Sequence, residues 1–311
     1  MRYDAVLVLS FGGPEGPDDV MPFLANVTRG RNVPPARLAE VAARYEQYGG
    51  VSPINAANRA LVTAVREVVD VPVYWGNRNW HPFLADTVAQ MADDGITRAA
   101  CFVTSAYSGY SACDQYLEDI AAARARVGDR APVIDKLPPY FDRAGFIEPF
   151  VASTSAALGH LPPELRDRAH LAFTAHSVPI AQAGADRYAS EVARASARVA
   201  SLVAGAHAYS GYSQAWQSRS GPPQVPWLEP DICTHLDALR AVGVEAVVIV
   251  PVGFVADHFE VVWDLDMEAL GRARELGMAG VRAATPGTHP AFVTLVGELV
   301  REREQALGGT S

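Results

Sequence analysis

PDICTHLDALRAVGVEAVVIVPVGFVAD, residues 230–257, predicts a helix, a glycine-led turn, an apolar strand and a loop in succession. A strand without polar positions is typical of a parallel sheet that is covered on both faces. The same order of elements occurs earlier, in residues 82–110, PFLADTVAQMADDGITRAACFVTSAYSGY. Two copies of one helix–turn–strand–loop pattern indicate two similar lobes.

The rest of the chain alternates in the same way between apolar runs and helical stretches, which predicts parallel βαβ units and an α/β fold. We therefore expect two Rossmann-like lobes with parallel sheets and a cleft between the lobes. The N-terminal lobe is expected at 1–150 and the C-terminal lobe, with a final helix at 290–307, at 151–311. The predicted strands are 3–11, 71–75, 98–104, 132–136, 170–174, one within 206–216, and 246–250.

Length and charge limit the classes of function. The 311 residues suggest about two domains at roughly 150 residues each. With 26 basic and 35 acidic side chains the net charge is −9, which argues against a nucleic-acid partner, because phosphate backbones attract positive surfaces. Hydrophobic residues make up 49% and charged residues 20%, and these values exclude global disorder.

Several common sites are excluded by motif. Lys136 is the one lysine and precedes a leucine, so no P-loop is present, and no G-x-S-x-G of an α/β-hydrolase occurs. Cys101, Cys113 and Cys233 are odd in number and widely spaced, which is not typical of a disulfide framework or a four-cysteine cluster. The first apolar run predicts a strand rather than a signal peptide, and no apolar run is long enough for a membrane anchor. We expect a cytoplasmic protein.

In open parallel sheets, ligands lie beyond the carboxyl ends of the strands. One such end precedes a row of acids: Glu260, Asp264 and Glu268 are spaced at i, i+4 and i+8, which on a helix places them on one face. Such a row could pass cations or protons along the helix. Two structural alternatives stay open: Asp257 and Glu260 also fit a capping box, and Asp264 and Glu268 also fit a solvated face.

His176 follows directly after another apolar strand, in FTAHSVP at 173–179. A neutral imidazole at that position can accept a proton near pH 7 or bind a borderline metal ion, although a loop histidine bonded to the backbone fits equally. One histidine with one carboxylate does not complete a closed metal site, which takes three or four ligands, but it suits a transient one. His258 is expected to be structural.

A second group of residues could bind an anion. Arginine forks recognise carboxylates and phosphates, and Arg29 and Arg44 stand out in an acidic chain, although solvated surface arginines are the open alternative. Tyr45, Ser52 and Tyr116 could add hydroxyl groups to such a site.

Taken together, these segments resemble the ferrochelatase family. The matching pieces are LVLSFGGP (7–14), TRGR (28–31), RYEQYGGVSPI (44–54), TAHSVP (174–179), WQSRSGPPQVPWLEPDI (216–232) and VPVGFVADHFEVVWDLDME (250–268). The resemblance implies a chelatase-like pair of lobes and the insertion of ferrous iron into a porphyrin held in the cleft.

The resemblance also implies the roles of residues. His176 and Glu260 match the catalytic pair at the metal, and Glu260, Asp264 and Glu268 match an acidic ladder that carries the metal. Arg44, Tyr45, Ser52 and Tyr116 match contacts to the porphyrin propionates. Phe11 stands where many soluble bacterial members have a tyrosine, so it can stack on the porphyrin but cannot ligate iron. Thr28 replaces an arginine of some relatives, and Arg29 could take over its contact.

The short, acidic chain favours the soluble branch of the family, which implies coproporphyrin III as substrate, a monomer and no membrane anchor. Ferrous iron is then a substrate, and no cofactor is expected; the cysteines lack the C-terminal group that binds an iron–sulfur cluster in some relatives. The alternatives are a protoporphyrin IX ferrochelatase, a related cobalt chelatase, and a porphyrin or heme carrier without turnover. A periplasmic-type binding protein would need an export signal.

Overall fold

The computed structural model describes residues 2–30, 33–222 and 224–308. Within these ranges the strands are β1 (Ala5–Ser10), β2 (Val73–Asn77), β3 (Arg98–Val103), β4 (Val133–Lys136), β5 (His170–His176), β6 (Gly211–Gln217), β7 (Ala246–Val250) and β8 (Ala279–Arg282). They form two four-stranded sheets, β2-β1-β3-β4 and β6-β5-β7-β8, and every pair is parallel. The second sheet repeats the strand order of the first, which confirms the prediction of two similar Rossmann-like lobes.

The α-helices of the described residues are α1 (Pro17–Val27), α2 (Pro35–Gln47), α3 (Ile54–Arg66), α4 (Leu84–Asp93), α5 (Gln115–Val127), α6 (Ala144–His160), α7 (Ala185–Ala204), α8 (Ile232–Ala241), α9 (Phe259–Val261), α10 (Leu270–Glu275) and α11 (Pro290–Gly308). Two π-helical segments, Tyr110–Asp114 and Val262–Ala269, precede α5 and join α9 to α10. None of the helices in the described ranges is long and apolar enough to cross a bilayer.

Each sheet buries both of its faces, as the apolar strands predict. In β1, Val6 and Val8 point to one core and Leu7 and Leu9 to another, because side chains alternate along a strand. The first of these cores is shared by the two lobes, since it also contains Phe173 of β5. One face of each sheet therefore packs against the same hydrophobic core.

Two helices bridge the lobes. The predicted boundary after residue 150 falls inside α6 and not in a linker, and α6 packs against α7, α11 and the strands β7 and β8. The final helix α11 packs against α6 and also against α3 of the first lobe. Its Phe292 meets Phe102 of β3 with ring centroids 5.9 Å apart. The division into 1–150 and 151–311 stays a prediction.

The carboxyl ends of β5 and β7 lie side by side, and a glycine makes this approach feasible. A Cβ atom on Gly253 would lie 2.5 Å from the Cβ of Ala175, which no side chain tolerates. Gly253 donates its backbone N–H to the carbonyl oxygen of Thr174 at 3.0 Å. The loop after β7 is therefore held against the strand end that carries His176.

Candidate active site

His176 is the last residue of β5, at the edge of the sheet where ligands bind in parallel α/β folds. Its Nδ1 lies 2.5 Å from the carbonyl oxygen of Ser177. A carbonyl oxygen only accepts hydrogen bonds, so Nδ1 carries the proton and donates it. The lone pair of a neutral His176 is thereby placed on Nε2, where it can accept a proton or bind a metal ion.

Glu260 faces this lone pair from α9, the short helix that follows the loop after β7. Its Oε2 lies 3.7 Å from the Nε2 of His176, and the two side chains are 48% and 34% exposed. The pair is therefore both close and accessible to solvent. The structure thus brings together the two residues that the sequence predicted as the catalytic pair.

The sequence also allowed a capping box in which Asp257 caps the helix that carries Glu260. That alternative is wrong. The residue before the helix is His258, and its Nδ1 accepts a hydrogen bond from the backbone N–H of Glu260 at 3.2 Å. Burial lowers the pKa of His258, which favours the neutral ring that this bond requires. His258 is structural, as predicted, and the Glu260 carboxylate is left free for the cleft.

Asp264 is the second acid of the row, and the pKa of its carboxyl is raised. Burial and the nearby charge of Glu260 raise the pKa of its carboxyl to about 7, although the Ser218 hydroxyl and Arg44 oppose the rise. Ser218 donates its hydroxyl to Oδ2 of Asp264 from a left-handed backbone conformation, with φ of 62°. A left-handed serine is uncommon and is often found at functional sites.

Glu268 is the last acid of the row, and its side chain is 42% exposed. It accepts a hydrogen bond from the indole Nε1 of Trp263 at 2.7 Å and lies 3.5 Å from Nη1 of Arg44. The helix from Val262 to Ala269 is π-helical rather than the α-helix that the sequence predicted. Glu260 and Glu268 both raise the pKa of Asp264, so the three acids remain electrostatic neighbours in this wider helix.

Three of the predicted anion contacts from the first lobe hold this acidic helix. Tyr45 stacks on Phe259 with ring centroids 3.6 Å apart, and the backbone N–H of Phe259 donates to Oγ of Ser52 at 3.2 Å. Burial raises the pKa of Tyr45, with a further contribution from Glu260. Arg44 lies over the ring of Trp263, 5.6 Å from its centroid. Their predicted contact to propionates stays a prediction.

The remaining predicted contacts lie apart from that helix. Phe11 follows β1, is 38% exposed and meets Phe23 edge-on, so its ring is open to the cleft. Arg29 is exposed after α1, and Arg31 of the same motif lies outside the described residues. Tyr116 packs in the core on the outer face of the first sheet, 5% exposed.

Sequence reasoning missed the arginine that covers Tyr116. Arg78 follows β2, lies 4.6 Å from the ring centroid of Tyr116 and forms an ion pair with Asp119. Its side chain is only 9% exposed. The position of Arg78 directly after β2, at the end of the strand where ligands bind, could have marked it as a candidate residue. Ser218 was also missed, since nothing in its local sequence indicates contact with Asp264.

The described residues contain no group of three or more histidine, cysteine or acidic side chains arranged to hold a metal ion. That His176 and Glu260 hold an ion in transit stays a prediction.

The comparison with known proteins follows this geometry. The family model described as Ferrochelatase matches residues 3–304. The chain belongs to the ferrochelatase family. A coproporphyrin III ferrochelatase of Nocardia farcinica is 57% identical over 99% of this chain and 90% of that protein. One from Mycobacterium marinum is 56% identical over 97% of this chain and 87% of that protein.

Solved structures bear on the fold alone. A structure of SirB from Bacillus subtilis with Fe³⁺ aligns with a TM-score of 0.58 over all of this chain and 98% of that one, at 14% identity. The bilobal architecture is therefore shared beyond the ferrochelatase family. The family match favours a ferrochelatase over the related cobalt chelatase that the sequence also allowed.

Proposed function

We propose that this member of the ferrochelatase family inserts ferrous iron into coproporphyrin III and yields iron coproporphyrin for heme synthesis. The observation that carries the proposal is the distance of 3.7 Å between Nε2 of His176 and Oε2 of Glu260, at the edge of the sheet where ligands bind. The relatives that are 57% and 56% identical carry the name of this activity, which supports the choice of substrate.

The reaction exchanges two protons for one ion. Each of two pyrrole nitrogens loses its proton, both form bonds to iron, and the iron stays ferrous. His176 offers a lone pair on Nε2, so as a general base it accepts the two pyrrole protons one after the other and passes each to water. Glu260 faces the same space and binds the incoming ion. Asp264 and Glu268 supply the negative charge that draws the ion along the helix.

The porphyrin is held by its carboxylates and its ring. Arg29 and Arg44 provide guanidinium groups for the carboxylates of coproporphyrin, assisted by Tyr45, Ser52 and Tyr116. The half-exposed ring of Phe11 stacks on the macrocycle. Both substrates are thus met by side chains of a single chain. We further propose that the protein works as a cytoplasmic monomer, without a nucleic-acid partner or a resident cofactor.

An anaerobic absorbance assay tests the activity and its substrate. Ferrous iron is mixed with coproporphyrin III or protoporphyrin IX, each with and without the protein. We expect fast spectral conversion of coproporphyrin III that depends on the protein. Conversion of protoporphyrin IX alone would refute coproporphyrin III as the substrate. Conversion of neither porphyrin would refute the proposed enzymatic activity.

A further inference from the structure

Arg282, the last residue of β8, lies outside the catalytic groups but binds two of their neighbours. Its side chain is 13% exposed. Nη1 and Nη2 donate to Oδ1 and Oδ2 of Asp257 at 3.1 and 2.9 Å. Nε and Nη2 donate to Oδ1 and Oδ2 of Asp266 at 2.6 and 2.9 Å. One guanidinium therefore makes four hydrogen bonds to two carboxylates.

The two carboxylates stand at the two ends of the segment that carries the chemistry. Asp257 precedes His258 and Glu260, and Asp266 follows Asp264 in the π-helical segment. Thr285 donates its hydroxyl to Oδ1 of Asp257 at 3.0 Å and adds a second hold on the same end. The segment 257–266 is thus fixed to the edge strand β8 at both ends.

We propose that Arg282 is a positioning residue of the iron-insertion reaction, which fixes segment 257–266 so that Glu260 faces His176. This inference rests on the proposed function. Glu260 is half exposed, and the interaction that faces it across the cleft is the 3.7 Å approach to His176. Its place therefore depends on the backbone that bears it. The guanidinium of Arg282 binds both ends of that backbone segment and so sets the position of Glu260.

A planar guanidinium is the group that this arrangement requires. It presents five donors in a rigid fork, whereas a lysine ammonium is a point charge that cannot make two bidentate contacts at once. Loss of Arg282 also leaves two partly buried carboxylates uncompensated, which destabilises the fold. Stability alone therefore does not distinguish a positioning role from a structural one.

The test compares Arg282→Lys and Arg282→Gln with Arg272→Lys and Arg272→Gln in the full chain. Arg272 is a matched control, because it also binds two acids, Asp237 at 2.8 Å and Glu275 at 2.9 Å, but outside segment 257–266. We measure kcat, the KM for coproporphyrin III, the thermal midpoint and the affinity for zinc chloride by calorimetry.

We expect both Arg282 variants to lose about 10- to 100-fold in kcat and in zinc affinity, the usual cost of removing a partner that orients a metal ligand. The KM for coproporphyrin III is expected to change little, and the Arg272 variants to behave as the wild type. Wild-type kcat in a folded Arg282→Lys variant, an equal loss in the Arg272 variants, or a change confined to the KM for porphyrin would each overturn the proposal.

A second variant and a measurement without turnover complete the test. If Arg282→Gln does not fold, Asp266→Ala keeps the fork on Asp257 and removes both acceptors at the other end, and the same loss of kcat is expected. Zinc affinity is measured without turnover, so it separates the two hypotheses. An inactive wild type refutes the proposed function, whereas unchanged zinc affinity in the Arg282 variants refutes the positioning role.

Discussion

The hydroxyl oxygen of Ser52 accepts a hydrogen bond from the backbone N–H of Phe259, the residue directly before Glu260. This bond joins the first lobe to the start of the acidic helix of the second. Ser52 is only 3% exposed, so the contact is shielded from water. A residue predicted as a substrate contact therefore also supports the backbone next to Glu260.

Ser52→Ala removes the acceptor and leaves the N–H of Phe259 buried without a partner. We expect a loss of about 1–3 kcal/mol in the free energy of unfolding, the cost of an unsatisfied buried donor. The measurement is urea unfolding followed by circular dichroism, and kcat is expected to fall as well. Thr63→Ala serves as control, since its hydroxyl bonds within an exposed helix face. Equal stability of the two variants would contradict the role of Ser52.

His176→Ala removes the proposed general base while leaving the predicted porphyrin contacts in place. We expect kcat to fall by about 100-fold or more, the usual contribution of a positioned general base. Porphyrin affinity, measured by fluorescence quenching, is expected to stay near that of the wild type. The exposed His160, changed to alanine, is the control. Full activity in His176→Ala would remove the imidazole from the mechanism.

The raised pKa of Asp264 predicts a pH dependence near neutrality. Its carboxyl has a pKa of about 7, and only the deprotonated form attracts a cation, so kcat/KM for ferrous iron is expected to rise with pH through about 7. Asp264→Asn is expected to remove this rise. Anaerobic rate measurements between pH 6 and 8, about one unit on either side of that pKa, cover the transition.

Two neighbours of Asp264 are expected to move this transition in opposite directions. The Ser218 hydroxyl lowers the pKa of Asp264, so Ser218→Ala shifts the rise to higher pH. The charge of Glu268 raises that pKa, so Glu268→Gln shifts the rise to lower pH. Shifts of the same sign in the two variants would assign the transition to another group.

A buried histidine predicts acid lability. Burial and the neighbouring His235 lower the pKa of His170 from 6.5 to about 4, and both rings bond to the Ser213 hydroxyl, at 2.7 and 2.6 Å. Between these pH values the unfolded chain binds a proton that the folded chain does not. Stability is therefore lost as pH falls from about 6.5 to 4, by at most about 1.4 kcal/mol per pH unit from this group.

His170→Gln is expected to flatten this decline, as measured by urea unfolding at several pH values between neutrality and pH 5. His207→Gln, at an exposed position, is the control and is expected to keep the wild-type slope. A decline of unchanged slope in His170→Gln would show that other groups cause it.

Local sequence was sufficient for most of the fold. Seven of the eight strands in the described part of the chain were predicted, because each is an apolar run next to a turn or a helix. The eighth, Ala279–Arg282, was missed, since it is a half-buried edge strand with a glycine and an arginine in four residues. The π-helical widening at 262–269 was also missed, because residue spacing alone does not reveal it.

In the candidate site, too, local features could be predicted from the sequence and long-range contacts could not. The proximity of His176 and Glu260 was predictable because parallel sheets place strand ends at one edge, whereas their roles were implied by the resemblance to the ferrochelatase family and stay a prediction. The contacts of Ser52 with Phe259 and of Ser218 with Asp264 were not, since each joins segments that are distant in sequence. Long-range pairs of this kind depend on how the lobes pack, which no local pattern specifies.

The last helix has a consequence for how the molecule can be divided. Phe292 lies among Phe102 and Tyr140, whose rings belong to the opposite half of the chain. A shortened version ending before Pro290 would lay bare those aromatic rings to water. The first half therefore contains a complete sheet but not all of the cover for its own aromatic rings, and expressing it alone would require a substitute for this helix.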